Sequence, residues 1–137
     1  MTIPLRSLQP ASPLDEADID RIVEAFYARV RSDEMLAPIF DGAIHDWPVH
    51  LGDLKAFWSS VMFTSGRYKG RPMPAHIRHA ASITPAALER WLALWRETTD
   101  ELVAPAAARA LQEKATRIAE SLSLGINFYR NRLEAGR

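Results

Sequence analysis

The chain has 137 residues and is 47% hydrophobic by composition, which is enough for one buried core and too little for two ordinary domains. Its 17 Lys and Arg balance 17 Asp and Glu, so the net charge is zero and provides no long-range field for nucleic acid or an anionic membrane. The absence of cysteine excludes disulfides, thiolate metal ligands and a thiol nucleophile. We therefore expect one domain over residues 1–137 whose partners include neither nucleic acid nor a membrane.

The first thirteen residues, MTIPLRSLQPASP, hold three prolines and follow no helical period. They lack the continuous apolar segment of a signal peptide, and nothing later in the chain approaches the roughly 18 apolar residues of a membrane span. We expect residues 1–13 to form a flexible arm, residues 130–137 to form a frayed C-terminus, and the protein to be cytoplasmic.

From Leu14 the apolar residues recur at steps of three and four, which predicts a long first helix that Asp15 can cap. The following stretch, SDEMLAPIFDG, predicts a short helical turn that ends at Pro38. That leaves Ile39 and Phe40 in a connection where a solvated loop would prefer polar residues. We therefore expect Phe40 to be packed against another part of the chain.

Asp46 can cap a second long helix, with Trp47 and Pro48 in its first turn. His50 lies on the apolar stripe of that helix. The remaining members of the stripe are Leu51, Leu54, Phe57, Trp58, Val61 and Met62.

The Gly- and Pro-rich segment GRYKGRPMPAH then interrupts the helical pattern. Pro74 can start a short helix that carries His76 and His79, and longer helices are predicted from Thr84 and from Pro105. Strand-like alternation and internal repeats are absent from the sequence. The predicted class is all-α, with about four long helices and short helices between them.

Four histidines, His45, His50, His76 and His79, are the candidate metal ligands by residue type. His76 and His79 form an H-x-x-H step, and the other two could complete a tetrahedral zinc site from a second element. A single histidine on an apolar helix face is, however, more often a hydrogen-bonded core residue than a ligand. The histidines alone leave both interpretations open.

The aromatic residues favour a larger, flat apolar cofactor over a bare ion. Phe40 in a connection, Phe57 near His50, and Trp91 on a later helix supply more flat apolar surface than a small helical core requires. Ordinary core packing is the alternative, and for Trp58 and Trp95 it is the better interpretation.

Four segments in chain order, AFYARVRSDEMLAPIF, DWPVHLGDLKAFW, GRYKGRPMPAH and RWLALW, together resemble the truncated haemoglobins, and within them the third group. The resemblance spans about residues 15–125 and implies a two-over-two helical sandwich around a pocket for haem b. It matches His76 to the iron ligand, with its second ring nitrogen donating to a backbone carbonyl. It matches Tyr27, Trp91 and His50 to the distal side, where they would act on a bound ligand.

The same resemblance implies the remaining contacts with the cofactor. Phe40 would stack on the haem face, while Leu54 and Phe57 would line the pocket. The residues implied for the propionates are Tyr68, Arg78 and His79, with Arg67 and Arg71 as further candidates. His45 is expected on the surface.

A pocket with several polar donors is suited to retaining ligands, so the resemblance favours redox or detoxification chemistry over oxygen transport. Its ligands would be dioxygen, nitric oxide, carbon monoxide or peroxide, at a five-coordinate iron. Both peroxidase-like activity and nitric oxide dioxygenation are possible activities, and the second would need an external reductase because the sequence shows no flavin or nicotinamide site. A haem-based gas sensor and a haem-free helical protein with a histidine-bound metal remain as alternatives.

Overall fold

Six α-helices make up the part of the chain that the computed structural model describes, residues 14–135, and no strand occurs within it. The predicted arm, residues 1–13, lies outside the described residues, as do residues 136 and 137. The helices are α1 Glu16–Ser32, α2 Leu36–Ala43, α3 Trp47–Phe63, α4 Pro72–Ile77, α5 Pro85–Leu102 and α6 Pro105–Ala135. The prediction of an all-α chain with four long helices and short ones between them is confirmed.

Three of the long helices begin at the predicted capping residues. The Asp15 carboxylate accepts the N–H of Asp18 at 2.8 Å, and the Asp18 carboxylate accepts the N–H of Asp15 in return. Asp46 before α3 and Thr84 before α5 each accept the N–H three residues further on, both at 3.1 Å. These bonds satisfy N–H groups that have no partner inside the helix and so fix where each helix starts.

Two proline-based predictions were wrong by a few residues. Pro38 does not end a helical turn, because α2 runs on to Ala43 and contains Phe40. Likewise α4 begins at Pro72 and not at Pro74. The physical reason is the same in both cases, since a proline in the first turn of a helix has no N–H to lose and its fixed φ angle suits the helix.

Helix α6 continues to Ala135, into the segment 130–137 that we expected to be a frayed C-terminus. Its last turns carry large exposed side chains, and the Arg132 guanidinium lies 5.9 Å from the ring centre of Phe128, one turn earlier. Such pairs four residues apart stabilise a helix that lacks tertiary partners on that face.

Helix α1 is central to the packing, with α2, α3 and α5 against it, while α6 packs on α5 and on α4. Apolar side chains of α1, α5 and α6 form most of the core. The most deeply buried among them include Ile22, Val23, Phe26, Trp95, Leu111 and Ala115. None of the helices within the described part of the chain is both long enough and apolar enough to cross a membrane.

Candidate functional site

Tyr27 of α1 is the centre of an aromatic cluster where α1, α2 and α3 meet. The side chain is only 4% exposed. Its ring meets those of Phe40, Trp47 and His50 at centroid distances of 5.7, 6.2 and 6.0 Å. Helix α2 thus delivers Phe40 to this cluster, which confirms that the apolar residue after Pro38 is packed.

The hydroxyl of Tyr27 keeps its proton across the physiological pH range. Burial raises the pKa of Tyr27 well above its ordinary value, and a hydrogen bond with Trp91 opposes this rise only in part. Because an indole N–H can only donate, the effect of Trp91 leaves the phenolic proton of Tyr27 free for another acceptor. The pair therefore presents a buried hydrogen-bond donor at this site.

His50, one turn into α3, has a buried Nε2 that makes no hydrogen bond to any residue in the described part of the chain. Burial lowers the pKa of His50, the negative charge of Asp53 opposes this effect, and the proximity of His76 lowers the pKa further. The ring is therefore neutral at neutral pH. A buried polar atom without a partner is costly and uncommon in proteins, so this nitrogen indicates a place for a group outside the chain.

His76 of α4 has one ring nitrogen fixed and the other available. Its Nδ1 lies 2.6 Å from the carbonyl oxygen of Pro72, one turn earlier in the same helix. Since a carbonyl only accepts, Nδ1 is the nitrogen that carries a proton here, and in the neutral form of the ring the lone pair is on Nε2. Histidines that bind metals are held in this way, with the second nitrogen donating to a carbonyl or carboxylate.

Helix α4 is in turn positioned by α6. A side chain at Gly125 would begin 2.5 Å from the sulfur of Met73, so the glycine makes room for α4 to pack closely. The Arg130 guanidinium donates to the carbonyl of Ala80, just after α4. These contacts fix the short helix that carries His76.

Between His50 and His76, helix α3 presents an apolar face that the chain covers only in part. Trp58 and Ser59 are its only buried residues, although the helix is 17 residues long. The apolar side chains that stay half-buried are Leu51, Leu54, Phe57, Val61, Met62 and Phe63. Such a face, flanked by two histidines with free nitrogens, fits a flat apolar group that carries a metal.

Comparison with known proteins identifies the family to which this chain belongs. Group 3 truncated hemoglobin ctb of Campylobacter jejuni is 30% identical over 89 residues, which are 62% of this chain and 69% of that protein. The chain belongs to the group 3 truncated haemoglobins. The crystal structure of group III truncated hemoglobin from Campylobacter jejuni matches with a TM-score of 0.73 at 27% identity, over 88% of this chain and 94% of that chain. No protein-family model matches this sequence.

The family assignment and the truncated globin fold that the four sequence segments indicated are thereby confirmed. Of the side chains that the resemblance matched to the pocket, the structure brings Tyr27, Trp91, His50 and Phe40 into one cluster. Leu54 and Phe57 lie half-buried on the open face of α3.

The residues matched to the propionates are more dispersed. The Tyr68 ring lies 5.3 Å from that of Phe57 and folds over Gly70, where any side chain would collide with its hydroxyl. Arg78 and His79 are exposed at the end of α4. Arg67 instead forms an ion pair with Glu16 of α1 at 2.8 Å.

Within residues 14–135, no group of three or more His, Cys, Asp and Glu is arranged to hold a bare metal ion. His45 and His79 are exposed, as expected for His45. The four-histidine zinc site that the sequence left open is therefore not assembled by the described residues.

Trp47 is a site residue that the sequence analysis did not single out. It contacts Tyr27, its ring lies 5.7 Å from that of His50, and the Arg31 guanidinium lies 4.5 Å from its ring centre. The sequence could have indicated this role, because Trp47 is three positions before His50 and so lies on the same face of the helix.

Proposed function

We propose that this globin binds haem b between α3 and α4, with His76 as the iron ligand on one side and the Tyr27 cluster on the other. When bound, haem would supply a five-coordinate iron that can take dioxygen, nitric oxide, carbon monoxide or peroxide. The single observation that carries the proposal is the pair of histidine nitrogens: Nε2 of His50 is buried without a partner, and Nδ1 of His76 is fixed by Pro72.

The pocket residues divide by chemistry. Phe40, Leu54 and Phe57 offer apolar surface to the ring, since each is only half-buried by the rest of the chain. Tyr68 precedes α4, and Arg78 and His79 follow its end, so donors and cations lie on both sides of the helix that carries His76 and could bind the propionates. Family membership supports haem as the group, and the absence of cysteine, which excludes the covalent attachment of a c-type haem, supports type b.

The distal residues favour retention of a ligand. Tyr27 holds a buried proton that it can donate, Trp91 lies close by across the ring of Phe26, and neutral His50 offers a further ring nitrogen. A donor in a low-dielectric pocket binds strongly to the negative partial charge that dioxygen develops on this type of cofactor. Slow release would suit redox chemistry with nitric oxide or peroxide better than oxygen transport.

The replacement Tyr27→Phe tests the distal role. Removing the donor should speed oxygen release by about 10- to 100-fold, the effect of losing one hydrogen bond worth about 1.5–3 kcal/mol to a charged acceptor. Stopped-flow displacement by carbon monoxide measures the rate. Tyr129→Phe on α6 serves as the matched control, because that side chain is 39% exposed and lies outside the cluster. An unchanged release rate in Tyr27→Phe would remove Tyr27 from the distal site.

The reaction itself is tested by mixing the oxygen-loaded protein with nitric oxide and, separately, the ferric protein with hydrogen peroxide. We expect stoichiometric nitrate in the first case or sustained peroxide consumption with a small-molecule reductant in the second. Dioxygenation that repeats for many turnovers should require an added reductase. Fast oxygen release with neither reaction would instead indicate transport.

A further inference from the structure

Three tryptophans form a stack that runs from the distal cluster into the core. The rings of Trp58 and Trp95 are 4.3 Å apart and tilted by 19°, and those of Trp95 and Trp91 are 6.2 Å apart and nearly parallel at 6°. The ring of Phe26 contacts both Tyr27 and Trp91, at centroid distances of 4.7 and 5.8 Å, and so joins the stack to the distal cluster. Tyr27 and the three tryptophans, which come from α1, α5 and α3, thus lie close together and are among the most readily oxidised side chains of the protein.

We propose that Tyr27, Trp91, Trp95 and Trp58 form an electron relay that carries oxidising equivalents away from the haem site and into the core. This proposal rests on the haem site described above and adds a function to it. The relay would supply electrons to the site one at a time when peroxide reacts there.

The arrangement differs from ordinary aromatic packing in the core. Aromatic side chains commonly meet edge to face, as Phe26 does against both Trp91 and Trp95 at 83° and 88°. Trp58 and Trp95 instead stack face to face, so their π systems overlap, and the ring of Trp91 lies parallel to that of Trp95 but offset from it.

The environment of Trp95 also suits a transient positive charge. Its indole N–H donates to the carbonyl oxygen of Leu111 at 3.1 Å, inside the core. A carbonyl acceptor at this nitrogen stabilises the ring when it has lost an electron. Beyond Trp58, the rings of Phe57 and then Tyr68 follow at 5.7 and 5.3 Å, so the series continues to a half-buried tyrosine.

The electron balance of the relay is simple. Reduction of one hydrogen peroxide to two waters breaks the O–O bond and consumes two electrons and two protons. Trp91 gives an electron to the site. Trp95 then reduces the oxidised Trp91, and Trp58 reduces the oxidised Trp95. A reductant such as ascorbate restores Trp58 from outside. Without a reductant, two such transfers oxidise Trp58 itself, water adds to its ring, and the net reaction turns peroxide and tryptophan into water and hydroxytryptophan.

Trp58 provides a selective readout because its side chain is 1% exposed, so peroxide in solution has little access to it. The ferric, haem-loaded protein is mixed with hydrogen peroxide without reductant, and peptide mass mapping measures the gain of one oxygen atom at Trp58. Met35, which is 47% exposed, reports oxidation from bulk solution in the same sample. Freeze-quench electron paramagnetic resonance with ring-deuterated tryptophan identifies the radical.

We expect oxidised Trp58 and a tryptophan radical in the native protein, and at least tenfold less oxidised Trp58 in Trp95→Phe. Tyr129→Phe is the control, because Tyr129 is 39% exposed on α6 and lies outside both the stack and the distal cluster, and it should leave Trp58 oxidation unchanged. If Trp95→Phe fails to fold, Trp91→Phe interrupts the same series at a half-buried position and should have the same effect.

Three results would overturn the proposal. Unmodified Trp58 in native protein that shows a Soret band would exclude the relay and leave the haem site intact. Equal oxidation of Trp58 in the native protein and in the interrupting variant would show that oxidant reaches it by another route. Absence of a Soret band after haem addition would overturn the haem site and the relay together.

Discussion

Helices α1 and α3 have the same length, 17 residues, and differ sharply in how completely they are buried. Helix α1 buries six side chains against α2, α3 and α5, whereas α3 buries only Trp58 and Ser59. Yet α3 is the more apolar of the two sequences. An apolar helix that its own chain leaves half-covered requires a partner of another kind, and the two histidines at this face indicate which kind.

The largest expected effect is a difference in the free energy of unfolding between a variant in the core and a variant on the open face of α3. Leu111 is fully buried, so Leu111→Ala should cost about 2–5 kcal/mol in the free energy of unfolding. Leu54→Ala on the open face of α3 should cost less than about 1 kcal/mol in haem-free protein, because little contact is lost there. Urea unfolding of both variants without haem measures the difference. Equal losses would mean that α3 is already packed as fully as the core.

A smaller effect should come from filling the pocket. A ligand that binds only the folded state stabilises it by about 2.7 kcal/mol when its free concentration is 100 times its Kd. Haem should therefore raise the midpoint of urea unfolding, and the cost of Leu54→Ala should grow once haem is present. The cost of Leu111→Ala should be the same with and without haem. If Leu54→Ala lowers the free energy of unfolding by the same amount with and without haem, the placement of the pocket on α3 is contradicted.

The smallest effect concerns Asp33, on the core side of the molecule. Its carboxylate pairs with Arg90 at 2.8 Å and accepts the N–H groups of Met35 and Leu36 at the start of α2. Asp33→Asn should cost at most about 1 kcal/mol, because the amide oxygen can still accept the two N–H groups and the exposed Arg90 pair adds little. Haem should not change this cost, and a haem-dependent value would link α2 to the pocket more tightly than its contacts indicate.

Asp33 also gives a pH dependence of known sign. The hydrogen bond from Arg90, more than those from Leu36 and Met35, lowers the pKa of Asp33 below its ordinary 3.8. Below about pH 4 the unfolded chain therefore takes up this proton before the folded chain does, and stability is lost as the pH falls further. Above that range the contribution is fully present. Unfolding curves of Asp33→Asn should show a weaker loss of stability between about pH 4 and pH 2 than the native protein.

Most of the fold could be predicted from the sequence because its signals are local. The side chains of Asp15, Asp46 and Thr84 each accept a hydrogen bond from the N–H three residues further on. The residues that determine where a helix starts therefore lie within four positions of one another in the sequence. The errors came from prolines, since Pro38 and Pro72 lie in first turns, where a proline can begin a helix as well as end one. Choosing between these effects requires the tertiary contacts of Phe40 and Met73.

The site was less accessible from the sequence because its geometry joins distant segments. The aromatic excess indicated a flat cofactor, and the resemblance supplied the roles of Tyr27 and His76. The contacts of Trp47 with Tyr27 and His50, and the stack of Trp58 on Trp95, depend on how α1, α3 and α5 cross, which no local pattern contains. For Trp58 and Trp95 the sequence favoured ordinary core packing, and their burial agrees with that.

The central claim is that His76 binds the iron of a haem held against α3. The most direct measurement is the ultraviolet–visible spectrum of purified protein after haem addition, ferric and dithionite-reduced, for native protein, His76→Ala and His45→Ala. His45 is exposed and has no role in the proposed site, so it serves as the matched control. We expect a strong Soret band in native protein and His45→Ala that is lost or shifted in His76→Ala. An identical Soret band in all three proteins would contradict ligation by His76, and no band in native protein would contradict the haem site itself.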